Sequence, residues 1–305
     1  MLGYFGPEGT FTHQALLKLE PNAAAKPYPS VPLALAAARA GEVEASVVPI
    51  ENSVEGGVSA TLDYLAASEP PLHIIREIVI EVSFDLAVRP GTTLGDVRRV
   101  ITHPHAAAQV RGWLAANLPN AELIERGSTA AAAEEVANPD STFDAAVCAP
   151  VAREMYGLEA LAHNINDNDG AVTRFVLVAR ADSGTSARPT RTGHDKTTFV
   201  AYMRADHSGA LLEILQQLAV RGVNLCRIES RPTKTTLGSY CFSIDAEGHL
   251  DDARVAGALQ GLKRICADVV FLGSYPRADE IVPNIPHWAS EGSYAASKTW
   301  LDSLG

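Results

Sequence analysis

Short apolar runs alternate with alanine-rich stretches through the first 180 residues. Leu2–Phe5, Ala45–Pro49, Val100–Thr102, Ala145–Cys148 and Phe175–Val178 are β-rich and predict strands. Between them, Thr12–Leu19, Pro32–Ala40, Ala106–Leu118 and Ala130–Ala137 carry apolar residues at helical spacing and predict helices. Such alternation implies an α/β fold with largely parallel strands. His73–Pro90 alternates apolar and polar positions for too long to form one simple strand, so it is expected to cross between two lobes that leave a cleft.

Ala181–Asp195, rich in Gly, Ser, Thr and Pro and without periodicity, reads as a linker. Beyond it, Thr197–Met203 predicts a strand, Gly209–Arg221 a helix, Asn224–Arg231 and Gly238–Asp245 strands, Leu250–Leu262 a helix and Val269–Tyr275 a strand. This β-α-β-β-α-β order is ferredoxin-like. The expected division is residues 1–180 with a second lobe at about 80–160, linker 181–195, the ferredoxin-like domain 196–276, and a tail 277–305. The tail, with Pro283, Pro286, Trp288 and Trp300, suggests no function by itself.

Composition narrows the partners. The chain has 305 residues, 47% hydrophobic and 20% charged, and a net charge of −11. Residues 1–180 hold 12 Lys/Arg against 22 Asp/Glu, while 181–305 hold 13 against 14, so the acidity belongs to the first part. That balance disfavours nucleic acid and anionic membranes. No stretch approaches the roughly 20 apolar residues of a membrane span, and Met1 leads straight into a strand without the features of a secretory signal. Cys148, Cys226, Cys241 and Cys266 never form CxxC, so a reduced, cytoplasmic chain with free thiols is expected.

Several strand–turn–helix junctions carry polar groups. Gly6–Thr12 (GPEGTFT) brings backbone N–H groups and the Thr10 or Thr12 hydroxyl to a helix N-terminus, either as an anion site or as a plain threonine cap. Pro49–Gly57 (PIENSVEGG) presents Glu51, Asn52 and Ser53 at the carboxyl end of a strand, where α/β sheets bind ligands; a capped polar loop is the alternative. His103–Gln109 (HPHAAAQ) invites a metal reading, but Pro104 breaks the extended ladder and no third ligand has a sequence partner. It reads instead as the start of a helix whose Gln109 faces the cleft. Gly127–Ala133 opens another helix with Ser128 as N-cap, and Thr173-Arg174-Phe175 begins the last strand of the first part. Helix N-termini and an arginine turned toward one cleft suit a small carboxylate ligand. The chain lacks GxGxxG and GxxxxGK[ST], so dinucleotide and P-loop chemistry is unsupported.

Taken together, GPEGTFT, PIENS, HPHAAAQ, STAAAA and TRF, followed by SGALLEIL and GVNLCRIESRP, resemble the prephenate dehydratase family with a C-terminal ACT regulatory domain, over about residues 1–276. The resemblance implies two α/β subdomains like those of a type 2 periplasmic binding protein, plus a βαββαβ ACT domain. It implies a lyase that converts prephenate to phenylpyruvate by decarboxylating dehydration, in phenylalanine biosynthesis. No metal or organic cofactor is expected. The threonine of TRF, Thr173, is implied as proton donor, with Arg174, Asn52 and Ser53 stabilising the developing charge. Thr10, Phe11, Gln109, Ser128, Thr129 and Phe175 are implied to bind the substrate, and Glu51 to position it.

The effector L-phenylalanine is implied to contact Gly209, Ala210, Leu211, Asn224, Leu225, Glu229, Ser230, Arg231 and Pro232 across paired ACT domains, which makes the chain a homo-oligomer, dimer or tetramer. Ala171 stands where relatives carry Asn, so one polar contact of that loop is missing. Arogenate dehydratase and a non-catalytic amino-acid sensor are the competing readings.

Overall fold

The computed structural model describes residues 1–54, 56–66, 69–182, 189–233 and 240–304. Part of the segment read as a linker, 183–188, lies outside the described residues, as do Glu55 and the first two residues of the strand expected at Gly238–Asp245. By contacts the chain divides into two compact units, Met1–Thr61 with Ile78–Phe175, and Leu62–Glu77 with Val176–Gly305.

The first unit opens with β1 (Leu2–Phe5), α1 (Phe11–Leu19), β2 (Ala25–Tyr28), α2 (Val31–Ala40), β3 (Ala45–Asn52), β4 (Gly56–Gly57) and the start of α3 (Ser59–Ala66). β1 pairs in parallel with both β2 and β3, so Tyr4, Val47, Val48 and Ile50 are buried against Leu16 of α1 and Leu35 of α2. Each such aliphatic side chain contributes about 1.5–3 kcal/mol when fully removed from water. β5 (Leu72–Glu81) and β11 (Val172–Arg180) complete this sheet, whose order is β2-β1-β3-β11-β5 with β4 on β3; both strands pass from one unit into the other.

A second sheet is inserted between β5 and β11. It comprises β6 (Asp85–Val88), β7 (Arg99–Thr102), β8 (Glu122–Glu125), β9 (Ala145–Cys148) and β10 (Glu159–Ala162), in the order β10-β6-β9-β7-β8. Its inner strands β6, β9 and β7 are almost wholly buried because both faces of the sheet are covered, whereas the edge strands β8 and β10 are partly exposed. Leu86, Val88, Val100 and Val147 meet Val110 of α4 (Pro104–Asn117), whereas Ala87, Ile101 and Ala146 meet Ala130 and Ala133 of α5 (Thr129–Ala137) and Ala152 of α6 (Pro150–Met155). The chain passes between the two sheets at 82–84 and again at 164–171. There Val82 N–H donates to Ala171 O at 2.7 Å, and the Asn166 side chain donates to Val82 O and accepts from Phe84 N–H, both at 2.8 Å.

The second unit holds a four-stranded antiparallel sheet, β13 (Leu225–Pro232), β14 (Tyr240–Glu247), β12 (Asp195–Tyr202) and β15 (Asp268–Pro276), in that spatial order. α7 (Ala210–Ala219) and α8 (Ala253–Ile265) cover one face, packing Ile214, Leu218, Val255 and Leu262 on Phe199, Phe242 and Ile244. The opposite face is polar: Arg227 bonds Asp245, Ser243 and Glu229, and Lys196 places its ammonium 3.0 Å from both carboxylate oxygens of Glu77. Residues 277–304 belong to this unit and include α9 (Glu291–Asp302); Glu291 accepts the Ala253 N–H at the start of α8. No helix among the described residues is long and apolar enough to cross a membrane.

Candidate active site

A cavity of about 220 Å³ opens in the first unit, lined by Phe5, Gly6, Thr10, Phe11, Asn52, Val82, Phe84, His103, His105, Ala106, Gln109, Ser128, Thr129 and Thr173. Three helices begin at it. Thr10 caps α1, its hydroxyl accepting from His13 N–H, and Ser128 caps α5, accepting from Ala131 N–H at 3.0 Å. His103 caps α4 through Nδ1, which accepts from His105 N–H at 3.2 Å. Helix N-termini carry partial positive charge, so this wall attracts anions without a formal cation. Gly9 is required in the first of these turns: its φ is +78°, and a Cβ there would lie 3.3 Å from the Ala152 backbone.

Opposite the helices, the ends of β3 and β11 join two side chains. Asn52 Nδ2 donates to Thr173 Oγ1 at 2.9 Å, while Asn52 Oδ1 accepts from Val54 N–H at 2.8 Å. The two bonds together fix which way the amide faces: nitrogen toward Thr173. Ser53 does not line the cavity. It clips the strands instead, its N–H donating to Val172 O and its hydroxyl accepting Val172 N–H, both at 2.9 Å. Gln109 supplies an unusual feature, because its Oε1 is buried, the residue being 9% exposed, and meets no hydrogen-bond donor. A buried acceptor left unsatisfied costs about 1–3 kcal/mol, which a ligand hydroxyl or ammonium would recover.

Of the residues the sequence singled out, Thr10, Phe11, Asn52, Gln109, Ser128, Thr129 and Thr173 come together on this lining. Glu51, Ser53, Arg174 and Phe175 do not. Strand alternation turns Arg174 away from Thr173, and its Nε sits 3.1 Å from Glu51 Oε2 in an ion pair. Phe175 is 2% exposed and belongs to the core. The sequence reading missed Phe5, Val82 and Phe84, which look like core positions; Phe84 meets Phe11 edge-on at 5.5 Å, making one aromatic wall. His103 and His105, which the sequence reads as the start of a helix rather than as metal ligands, both line the cavity with ring centroids 5.0 Å apart, and no cluster able to hold a metal ion occurs among the described residues.

In the second unit, Gly209 caps α7 in the left-handed region at φ 94°, with Ala210 buried and Leu211 exposed. Asn224 O accepts Glu247 N–H, and Leu225 starts β13. Glu229 is held by Arg227 at 3.2 Å and Arg231 at 3.4 Å, and Arg231 also bonds Asp63 at 2.8 Å; Ser230 and Pro232 are exposed. These residues are not gathered in one cavity: Ala210 borders one of about 30 Å³, Arg231 and Pro232 another of about 180 Å³.

An α/β chain with a hydroxyl–amide pair, an unsatisfied buried amide and three helix N-termini around one cavity is of the class that acts on small polar molecules. The comparisons give that class its family. The prephenate dehydratase family model matches residues 2–183. The chain is 48% identical to the prephenate dehydratase of Mycolicibacterium gilvum over 291 residues, 91% of each chain. Among solved structures it resembles the prephenate dehydratase of Arthrobacter aurescens in complex with L-Phe, at a TM-score of 0.92 and 50% identity, covering 99% of this chain and 98% of that one. It also resembles GqqA, a quorum-quenching acylase, at a TM-score of 0.80 and 31% identity, covering 90% and 97%. The chain belongs to the prephenate dehydratase family and is a lyase of the hydro-lyase type.

Proposed function

We propose that the cavity of the first unit takes prephenate and that Thr173 assists the departure of its ring hydroxyl. The observation that carries this reading is the Asn52–Thr173 hydrogen bond at the cavity wall. In the reaction the bond to the leaving carboxylate breaks, its electron pair enters the ring, and the ring C–O bond breaks as the hydroxyl takes a proton. Carbon dioxide and water leave, and the ring becomes aromatic. Thr173 donates that proton while its oxygen, gaining negative charge, keeps the Asn52 N–H that already points at it. A threonine hydroxyl is a weak acid, so a preset donor on its oxygen lowers the barrier where charge develops.

Gln109, Ser128, Thr129 and Thr10 orient the polar groups of the substrate, and Phe11 packs beside its ring together with Phe84. Ser53, the Glu51–Arg174 ion pair and the buried Phe175 hold the ends of β3 and β11 in register; these act on position rather than on the reacting atoms. No metal or organic cofactor enters this scheme. The two sheets are read as the two lobes of a type 2 periplasmic-binding-protein-like domain at 1–180, and the four-stranded sheet with its two helices as an ACT domain at 196–276.

L-Phenylalanine is read as the effector, at Gly209–Leu211, Asn224–Leu225 and Glu229–Pro232. The separation of these residues within one chain supports a site completed by a second copy, hence a dimer or tetramer in the cytoplasm. The experiment is phenylpyruvate formation from prephenate by the purified chain, with and without L-phenylalanine, and with arogenate as second substrate. Turnover of prephenate that falls on adding L-phenylalanine is the expected result; absence of turnover with either substrate overturns the reading.

A further inference from the structure

Gln109 is the buried amide of the cavity lining, and where its side chain lies depends on where α4 lies. The helix is held at that point from outside. Asp167, on the crossing at 164–171, donates its N–H to Gln109 O at 2.7 Å, and its two carboxylate oxygens accept the N–H groups of Gly112 and Trp113, each at 2.8 Å. In a regular helix the N–H of Trp113 faces the carbonyl of Gln109. Asp167 therefore engages both ends of that step, the carbonyl with its own amide and the amide with its carboxylate. A side chain set into the i→i−4 ladder fixes the path of a helix at that turn, and here the turn begins at the cavity residue.

Gly112 is fitted to this contact. A Cβ there would lie 2.9 Å from Asp167 Oδ1 and 3.2 Å from its Cγ, so glycine leaves room for the carboxylate in the interior of a helix, where it is otherwise a poor choice. The preceding residue acts in the same way on another wall. Asn166 holds the crossing at 82–84 through its two 2.8 Å bonds, and Val82 and Phe84 line the cavity. Two consecutive side chains thus tie two parts of the lining to the segment that leads into Thr173.

We propose that Asp167 is a positioning residue for the reaction, setting Gln109 so that its Oε1 accepts a hydrogen bond from the ring hydroxyl of the substrate. This rests on the reading of the cavity as the prephenate site. The choice of the hydroxyl follows from the chemistry. Gln109 Oε1 meets no donor in the protein, and the carboxylates and keto group of prephenate only accept, so its ring hydroxyl is the donor available. With the hydroxyl hydrogen held by Gln109, the lone pairs of the same oxygen are free to face Thr173, which supplies the proton. A displacement of α4 of about 1 Å would lose that orientation.

The test is a double-mutant cycle of Asp167→Ala and Gln109→Leu, read as phenylpyruvate formation at saturating prephenate. Asp167→Ala lowers kcat about 10–100-fold in the wild-type chain and by less than about twofold once Gln109 is leucine. An equal fold-loss in both backgrounds, as a merely structural role would give, overturns the proposal, and so does Asp167→Ala with kcat within about twofold of wild type. A second arm needs no turnover. Gly112→Ala raises the melting temperature in the Asp167→Ala chain, where the space is free and alanine favours the helix, and raises it less or lowers it in the wild type. Equal shifts in the two chains would overturn the proposal, because the carboxylate would then not lie against Gly112. Failure of the wild type to turn over prephenate, with the melting shifts as expected, would instead refute the reading of the cavity and with it the role of Gln109.

Discussion

Among the hydrogen bonds that Asn52 makes, two of different kinds bear on its replacement by alanine. One, to Val54 N–H, orders the loop after β3, and its loss costs about 1 kcal/mol of stability. The other donates to Thr173 Oγ1 at 2.9 Å, the oxygen on which negative charge develops. Removing a preset donor of this kind lowers kcat on the order of 10²–10³-fold, about 2.7–4 kcal/mol. Turnover should therefore fall far more than stability does. Asn52→Asp separates the two effects, because it keeps an acceptor for Val54 but sets a carboxylate against the threonine oxygen; thermal stability stays near wild type while turnover is lost. A double-mutant cycle with Thr173→Val, read as initial phenylpyruvate formation at saturating prephenate, gives the decisive number. If Asn52 acts through Thr173, Asn52→Ala costs little once Thr173 is valine. An equal fold-loss in both backgrounds would refute the reasoning, as would Asn52→Ala retaining kcat within about threefold.

Gln109→Leu removes the unsatisfied Oε1, so the melting temperature should rise while KM for prephenate also rises, checked by thermal denaturation beside kinetics. Lys196→Met strands the Glu77 carboxylate, whose side chain is 3% exposed, and should cost about 3–5 kcal/mol in denaturant unfolding; Lys196→Met with Glu77→Gln, which keeps an acceptor for Ala278 N–H, should recover most of it. Burial lowers the pKa of His13, stacked on Tyr4 at 5.1 Å, against the opposing pull of Glu8. The native state then binds fewer protons than the unfolded chain, so stability should fall as pH drops through the ordinary histidine range near 6.5, and urea unfolding of His13→Gln should show a smaller fall between pH 7 and 5.

Elements buried on both faces were legible because they are continuous apolar runs: Leu2–Phe5 and Ala145–Cys148 were read to the residue. Edge strands were not. β2 reads AKPY, with a proline and an exposed lysine, and β8 reads ELIE, so neither carries the pattern of a covered strand. His73–Pro90 proved to be two strands, ending at Glu81 and resuming at Asp85, with a crossing between them. That crossing supplies Val82 and Phe84 to the cavity, and apolar lining on a connection carries no sequence signal apart from the length of the segment. The polar half of the lining was readable because caps and strand ends have their own residue preferences. The direction in which Arg174 points was not, since a one-residue shift along a strand reverses the face.

The three helix ends at the cavity also determine how far from the protein a substrate can be felt. Partial charges at helix termini fade within a turn, whereas the first 180 residues carry 22 acidic against 12 basic side chains. A dianion approaching from bulk solvent therefore feels little until it is within about one screening length, roughly 8 Å at physiological ionic strength, is repelled over that last approach, and is attracted only once it enters. Capture is short-ranged, and added salt speeds the encounter by weakening the outer repulsion more than the inner attraction.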